Sequence, residues 1–244
     1  MEKKALPAER DMMRRRKPTP DELLADRAKH SPAPMLPRRI ALIDIDAGKK
    51  KTATSFILDD FEEAFSVYAH HDADPEASIP ELIRTPSDRT FSSDTRELHD
   101  IDTIVLGCSL NASDSSDRLR ALLSNLSAAH VLTSDARAYM IASDTRYEPE
   151  NAKSTFSSFE NLWLQAGASW CGGLAAYASA LIPATAHMAR MGMARRRLSE
   201  ATDRLILTVR CGTGAGTIVV PAPVPRFIYR LVANNQTGTE SPLS

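Results

Sequence analysis

The sequence has few cysteines, few glycines and few aromatic side chains. Its 244 residues include three cysteines, ten glycines and 6% aromatic residues. The cysteines, Cys108, Cys171 and Cys211, are odd in number and widely spaced, so they predict neither a disulfide framework nor a zinc site. We therefore expect a protein of a reducing compartment, the cytoplasm, with no bound metal.

The sequence also lacks an excess of charge and any long apolar run. The formal net charge is −1, so no overall electrostatic field favours nucleic acid or a membrane surface as a partner. No apolar stretch approaches the roughly 18–20 residues that a membrane span needs. The charged N-terminus does not resemble a signal peptide. We therefore expect neither nucleic acid nor a membrane as a partner.

The first part of the chain differs in composition from the rest. Residues 1–38 are rich in basic residues and proline and have few apolar side chains. Such a segment cannot bury enough surface to offset the entropy of ordering it. We predict a disordered basic arm over residues 1–38, a folded domain over 39–235, and a disordered tail over 236–244.

Short apolar segments alternate with helical patterns through the folded part. This alternation predicts a parallel sheet covered by helices, because parallel strands need crossover connections. We expect an α/β fold with three layers, in which a doubly wound sheet of five parallel strands has the flavodoxin-like order 2-1-3-4-5. The five predicted strands span residues 40–45, 67–69, 102–107, 138–142 and 168–174.

Three polar loops follow the predicted first, third and fourth strands. In doubly wound sheets, ligands bind beyond the carboxyl ends of the strands. The loops are residues 46–54, with three lysines before a helix start, residues 108–113, with small polar groups, and residues 143–150, with one tyrosine. A helix N-terminus attracts phosphate through its free N–H groups and its dipole. A solvated polar turn is the alternative for each loop.

Two motifs in the second half of the chain resemble those of a known family. Tyr147-Glu148-Pro149-Glu150-Asn151, followed by residues 165–174, is similar to "YEPEQN … AG-x-x-W-x-GG", and residues 223–235 are similar to "P-x-P-R-x-x-Y … A-N". The chain from Arg39 to Asn235 thus resembles NAD(P)H-dependent FMN reductases of the flavodoxin superfamily. Two loops depart from the family pattern: residues 47 and 48 replace a serine and a proline, and the second loop lacks a proline and an aromatic residue.

The resemblance implies an FMN-dependent oxidoreductase that passes electrons or hydride from NAD(P)H through the bound flavin. It implies a homodimer as well, and no general acid or base is assigned. The implied phosphate-binding residues are Lys49, Lys50, Thr52 and Thr54. The residues expected around the flavin ring are Ser109, Leu110, Asn111, Ser143, Asp144, Thr145 and Tyr147.

The substituted loops support an alternative function. Without the family's serine hydroxyl and aromatic ring, the affinity for FMN would fall, because a charge-assisted hydrogen bond is worth roughly 1.5–3 kcal/mol and a stacking contact about 1 kcal/mol. The alternative is a flavodoxin-like protein that has lost FMN and acts as a binding or regulatory module. In that case the basic arm would be the interaction element.

Overall fold

The computed structural model describes residues 35–46, 51–71, 79–86, 99–111, 115–128, 130–149 and 152–237. Strands and helices alternate along most of this part of the chain. The strands are β1 (Arg39–Asp44), β2 (Glu81–Pro86), β3 (Ile101–Ser109), β4 (Leu132–Ser143), β5 (Ser169–Ala176) and β6 (Gly216–Val220). The α-helices are α1 (Ala53–His71), α2 (Ser115–Ala128), α3 (Ala152–Gln165), α4 (Ile182–Thr185), α5 (Arg196–Arg210) and α6 (Arg226–Thr237). Residues 1–34 and 238–244 lie outside the described residues, so the disordered arm and tail stay predictions.

The strands form one parallel sheet in the order β2-β1-β3-β4-β5-β6. The parallel α/β architecture is confirmed, and the first five strands have the flavodoxin-like order 2-1-3-4-5. The predicted strand count was wrong, because the sheet has six strands. The sixth, β6, adds to the outer side of β5 and pairs Gly172–Ala176 with Gly216–Val220.

Side chains from successive residues of each strand pack on opposite faces of the sheet, and helices cover both faces. In β1, Ile40 and Leu42 belong to a buried cluster with residues of α1 and α5, such as Phe61 and Leu205. The opposite face of the sheet packs against α2 and α3, where Trp163 is fully buried. This alternation is the pattern of a strand that is buried on both faces.

One local prediction was wrong, and two strands were not predicted. Residues 67–69 belong to α1 instead of a strand, because Phe61, Phe65 and Ala69 continue the buried helical face. The two strands that the sequence patterns did not predict are β2 and β6, which form the edges of the sheet.

A glycine in β3 sets how closely α1 approaches the sheet. A Cβ atom at Gly107 would lie 2.3 Å from Leu58 Cδ1 and 2.8 Å from Thr54 Cγ2. Only glycine therefore allows the first turns of α1 to lie this close to β3. This contact brings the start of α1 to the carboxyl ends of β1 and β3, where the strand order reverses.

Candidate functional site at the carboxyl ends of the strands

The three loops that were predicted to bind a ligand meet at one edge of the sheet. The backbone N–H of Ser109 donates to a carboxylate oxygen of Asp46, which joins the second loop to the first. The N–H of Leu110 donates to the carbonyl oxygen of Ser143 at 2.8 Å, which joins the second loop to the third. The carboxyl ends of β1, β3 and β4 are thus connected by direct hydrogen bonds.

The start of α1 is capped by its own side chains. The N–H of Ser55 donates to Thr52 Oγ1 at 3.1 Å, and the N–H of Thr52 donates to Ser55 Oγ at 3.2 Å. This reciprocal pair is a capping box, which satisfies two N–H groups that the helix leaves free. Thr52 was predicted as a phosphate ligand, and the structure places it at the N-cap of α1.

The lysines of the first loop divide into two groups. Lys49 and Lys50 lie in residues 47–50, outside the described residues, so their role stays a prediction. The Lys51 ammonium lies 2.9 Å from an Asp59 carboxylate oxygen and 5.7 Å from the centre of the Phe56 ring. Lys51 is two-thirds exposed and held on the outer surface of α1.

Thr54 and Ser143 form a buried hydroxyl pair beneath the loops. Their Oγ atoms lie 2.7 Å apart, and the two residues are 0% and 2% exposed. The pair joins the first turn of α1 to the end of β4. Both residues were predicted to contact the ligand directly, whereas the structure places them below the loop surface, where they fix one loop relative to the other.

Two aspartates at the end of β1 complete the connection between the first and second loops. Asp44 Oδ2 accepts a hydrogen bond from Ser55 Oγ at 2.7 Å, and Asp44 Oδ1 accepts one from the N–H of Asp46 at 3.1 Å. Asp46 receives the Ser109 N–H and lies 3.7 Å from an Arg118 guanidinium nitrogen. Neither aspartate was among the predicted site residues. Their position at the end of a buried strand was the signal that could have identified them.

The second and third loops are joined through side-chain hydrogen bonds around Asp144. In the amide orientation that satisfies both of its polar atoms, Asn111 donates to Asp144 Oδ1 at 2.8 Å. Its amide oxygen accepts from the N–H of Thr145 at 2.6 Å and from Thr145 Oγ1 at 2.9 Å. The Arg146 guanidinium donates to Asp144 Oδ2 through two nitrogens, at 2.8 and 2.5 Å. Asp144 is fully buried, whereas Asn111 and Thr145 are exposed at the rim of the edge.

Tyr147, which was predicted to stack on a planar ligand, contacts the C-terminal part of the chain. Its ring centre lies 5.8 Å from that of Tyr229, and its hydroxyl donates to the carbonyl oxygen of Val224 at 3.1 Å. Arg226 lies 6.0 Å from the Tyr147 ring centre, and its guanidinium is 3.7 Å from Glu148. The two sequence motifs that carry the family resemblance are therefore in direct contact.

Burial and nearby carboxylates shift several pKa values at this edge. Burial, followed by the charges of Asp46 and Asp44, raises the pKa of the Cys108 thiol well above its usual value. Burial, followed by the charge of Asp144, raises the pKa values of the Tyr177 and Tyr229 hydroxyls. These three groups therefore remain protonated at neutral pH, and Cys108 does not have the properties of a reactive thiolate.

The described groups fit an FMN molecule bound at the exposed surface of the loops, which we call the rim, and not one bound among the buried side chains below it. The side chains exposed at the rim include those of Asn111, Thr145 and Arg146, and the half-buried start of a 19-residue helix that follows the lysine run lies beside them. Thr54, Ser143 and Asp144 are already hydrogen-bonded to neighbouring loops. The arrangement fits a flavin nucleotide held by backbone groups and rim residues. It does not fit one held by the buried side chains.

Neither a metal cluster nor a membrane-spanning helix is found in the described part of the chain. Within these residues, no three His, Cys, Asp or Glu side chains lie close enough together to hold a metal ion. None of the described helices combines the length and the apolar character that crossing a membrane requires.

Comparison with known proteins gives matches among solved structures only. No protein-family model matches the chain, and no curated protein matches it. An azoreductase from Bacillus anthracis is 11% identical, with a TM-score of 0.45, covering 71% of this chain and 98% of its own. The NAD(P)H:quinone oxidoreductase from Methanothermobacter marburgensis is 10% identical, with a TM-score of 0.43, covering 72% and 96%.

A third solved structure contains a flavin. The FMN-dependent NADH-azoreductase from Bacillus anthracis, in complex with FMN, is 10% identical to this chain, with a TM-score of 0.42, covering 69% and 100%. The three neighbours named here are thus two azoreductases, one of them FMN-dependent, and a quinone oxidoreductase. At these TM-scores the likeness does not bear on function, and the strand order given above carries the fold assignment.

Proposed function

We propose that the protein is an FMN-dependent oxidoreductase that takes electrons from NAD(P)H. The observation that carries the proposal is the meeting of three loops at the point where the strand order reverses. In doubly wound sheets this crevice is the place where nucleotides bind. The start of α1 lies at the same place, directly after residues 49–51, which are all lysine.

The residues at this edge would have different tasks. Lys49, Lys50 and the N-terminus of α1 would hold the phosphate, because both supply positive charge to an anion. Asn111 and Thr145 would border the ring. When bound, FMN supplies the chemistry of hydride or electron transfer, and the protein supplies binding and orientation.

The hydrogen bonds between the loops support this assignment of tasks. The Thr54–Ser143 pair and the Asp144 contacts fix the three loops relative to one another before any ligand binds. A preorganised site loses less conformational entropy on binding. Fixed loops would then offset part of the affinity that the substituted side chains remove.

A titration of the purified protein with FMN and riboflavin tests the proposal. We expect binding to quench the fluorescence of FMN, with saturation at one FMN per chain. Riboflavin lacks the phosphate, so we expect it to bind at least tenfold more weakly. Replacing Lys49 and Lys50 together by alanine should reduce this preference for FMN. Lys51→Ala is the matched control, because Lys51 is paired with Asp59 and should change the preference little. Equal binding of the two flavins would contradict the phosphate site.

The NADH or NADPH preference, a homodimer and a cytoplasmic location are part of the same proposal. Stopped-flow reduction of the FMN-loaded protein by each nucleotide tests the first of these. Light scattering on the protein as it elutes from a gel-filtration column tests the homodimer, and a monomer at micromolar concentration would contradict it. Localisation of the full chain in its own cell tests the third.

A second candidate function is a binding module without a flavin. Three carboxylates at the edge favour it, because Asp44, Asp46 and Asp144 are all buried or nearly so and would repel a phosphate group. The ring of Tyr147 is also already in contact with Tyr229. In this case the protein would bind no flavin, and deletion of residues 1–38 should abolish binding to its partner.

A further inference from the structure

A short C-terminal segment holds the third loop in place. We call residues 221–229 the C-terminal clasp; they run from the end of β6 through the first turn of α6. The clasp contacts the third loop at three places: Val224 receives the Tyr147 hydroxyl, Arg226 faces Glu148, and the Tyr229 hydroxyl donates to the carbonyl oxygen of Thr145. Tyr229 is 7% exposed, so its ring is packed and its hydroxyl is held in one direction.

The Tyr229 contact continues to the second loop. Tyr229 fixes the carbonyl side of Thr145, while the N–H and hydroxyl of Thr145 are hydrogen-bonded to Asn111. Asn111 in turn donates to Asp144. One path of hydrogen bonds therefore runs from the C-terminal clasp through Thr145 to Asn111, and both of these residues are exposed at the rim.

The third loop is held on its other side by the end of β5. The N–H of Ser179 donates to the carbonyl oxygen of Asp144 at 2.9 Å, and the N–H of Ala178 donates to that of Arg146 at 2.8 Å. Ala178 has a φ of 53°, in the left-handed region that residues other than glycine adopt only when their surroundings impose it. Residues 144 and 146 are held by Ala178 and Ser179, just after β5. The Tyr229 hydroxyl is then the contact that determines the direction of the carbonyl group of Thr145 between them.

We propose that Tyr229 is a positioning residue of the candidate site, acting through Thr145 on Asn111. The proposal rests on the proposed function only in naming the ligand as a flavin. It gives a role to the C-terminal motif, which begins 73 positions after the end of the third loop in sequence: the clasp sets the shape of the rim. The hydroxyl of Tyr229, and not its ring, has this role.

Tyr229→Phe tests the proposal, because it removes the hydroxyl and keeps the ring against Tyr147. Tyr147→Phe is the matched control. It also removes one phenolic hydroxyl bonded to a backbone carbonyl in the same cluster, but that carbonyl, of Val224, belongs to the clasp. In the full chain without flavin, we expect Tyr229→Phe to speed amide hydrogen exchange at Thr145 about tenfold, and the control to leave it within twofold.

The second measurement is flavin affinity. We expect Tyr229→Phe to weaken FMN and riboflavin by the same factor, about three- to tenfold, because the rim borders the ring and not the phosphate. A loss of stability alone would not weaken FMN and riboflavin by one common factor while amide exchange at Thr145 in the control stays within twofold of the wild type. Asn111→Ala breaks the same path of hydrogen bonds at its other end. A variant with both Tyr229→Phe and Asn111→Ala should therefore bind flavin no more weakly than whichever single variant has the lower affinity.

Each outcome decides one question. If the wild type binds no flavin, the proposed function fails, and the exchange rate at Thr145 still decides whether Tyr229 positions the rim. If that rate is the same in Tyr229→Phe and the control, the positioning role is overturned. If amide exchange at Thr145 rises in Tyr229→Phe but flavin affinity stays at the wild-type value, the proposed effect of Tyr229 on flavin binding is overturned. If Tyr229→Phe does not fold, Asn111→Ala is compared with the wild type on the same two measurements.

Discussion

The buried hydroxyl pair of Thr54 and Ser143 gives a prediction that separates a scaffold from a ligand contact. Thr54→Val replaces the hydroxyl by a methyl group of nearly the same size, so packing against Gly107 is kept. Ser143 Oγ then loses its partner in a place that water does not reach, since Ser143 is 2% exposed. Leaving a buried polar group unpaired costs about 1–3 kcal/mol.

The assay is urea unfolding of the wild type, Thr54→Val, Ser143→Ala and the double variant, all without flavin. We expect each single variant to lose about 1–3 kcal/mol of unfolding free energy. The double variant should lose clearly less than the sum, because removing both partners of a hydrogen bond leaves no unpaired group. For a domain of this size, a loss of 2 kcal/mol lowers Tm by roughly 4–8 °C.

Two results would refute this reasoning. A loss below about 0.5 kcal/mol in Thr54→Val, within the range of ordinary surface substitutions, would mean that Ser143 finds another partner. Additive losses in the double variant would mean that the two hydroxyls are not coupled. If Thr54 were instead a free phosphate ligand, Thr54→Val would leave stability unchanged and weaken FMN alone.

Three further predictions follow from burial and close contacts. In Gly173→Ala the new Cβ would lie 2.1 Å from the backbone oxygen of Met140 on the paired strand, so we expect a loss at or above the upper end of about 1–3 kcal/mol in urea unfolding; a loss under 1 kcal/mol would contradict the close approach. A thiol reagent should label one cysteine rapidly in the native protein, exposed Cys211, and the two buried ones only on unfolding; two fast thiols would be inconsistent with the fold. Because the folded pKa of Cys108 is raised, the thiol stays protonated in the native state at pH values where it ionises in the unfolded state. Its contribution to the free energy of unfolding is fully present below about pH 8.5 and decreases by about 1.4 kcal/mol per pH unit above it. Unfolding measured from pH 8 to 10 should show a shallower loss in Cys108→Ala, and an unchanged slope would count against the shift.

Sequence periodicity identified the central strands well, because a strand buried on both faces is a short apolar run bounded by polar turns. This holds for β1 and β3, where every residue up to Gly107 is buried or nearly so. The edge strands were missed because their patterns are weaker. β2 is only partly buried and carries Arg84 in ion pairs with Asp59 and Glu62.

The sixth strand carried a signal that the neighbouring glycines and prolines concealed. Ile218, Val219 and Val220 are β-branched and alternate buried, exposed, buried, which is typical of an edge strand. The segment 67–69 shows the opposite error. Three consecutive residues fit a strand and a helix equally well, and the buried positions Phe61, Phe65 and Ala69 decide for the helix.

The candidate site could be located from sequence, but the roles of its residues could not. Parallel strands bring their carboxyl ends to one edge, so the meeting of the three loops followed from the strand order. Which polar side chains bond to one another depends on distances across the chain. Thr54 and Ser143 are 89 positions apart, and Tyr147 and Val224 are 77 apart, so no local pattern shows these pairs.

An absorption spectrum of the purified full chain, before and after addition of FMN and removal of the excess by gel filtration, tests the central claim most directly. The account predicts a flavin spectrum that stays with the protein at one FMN per chain and is bleached anaerobically by NADH or NADPH. A colourless protein after gel filtration, with no change of FMN fluorescence on titration, would contradict a flavin site at the carboxyl ends of the strands.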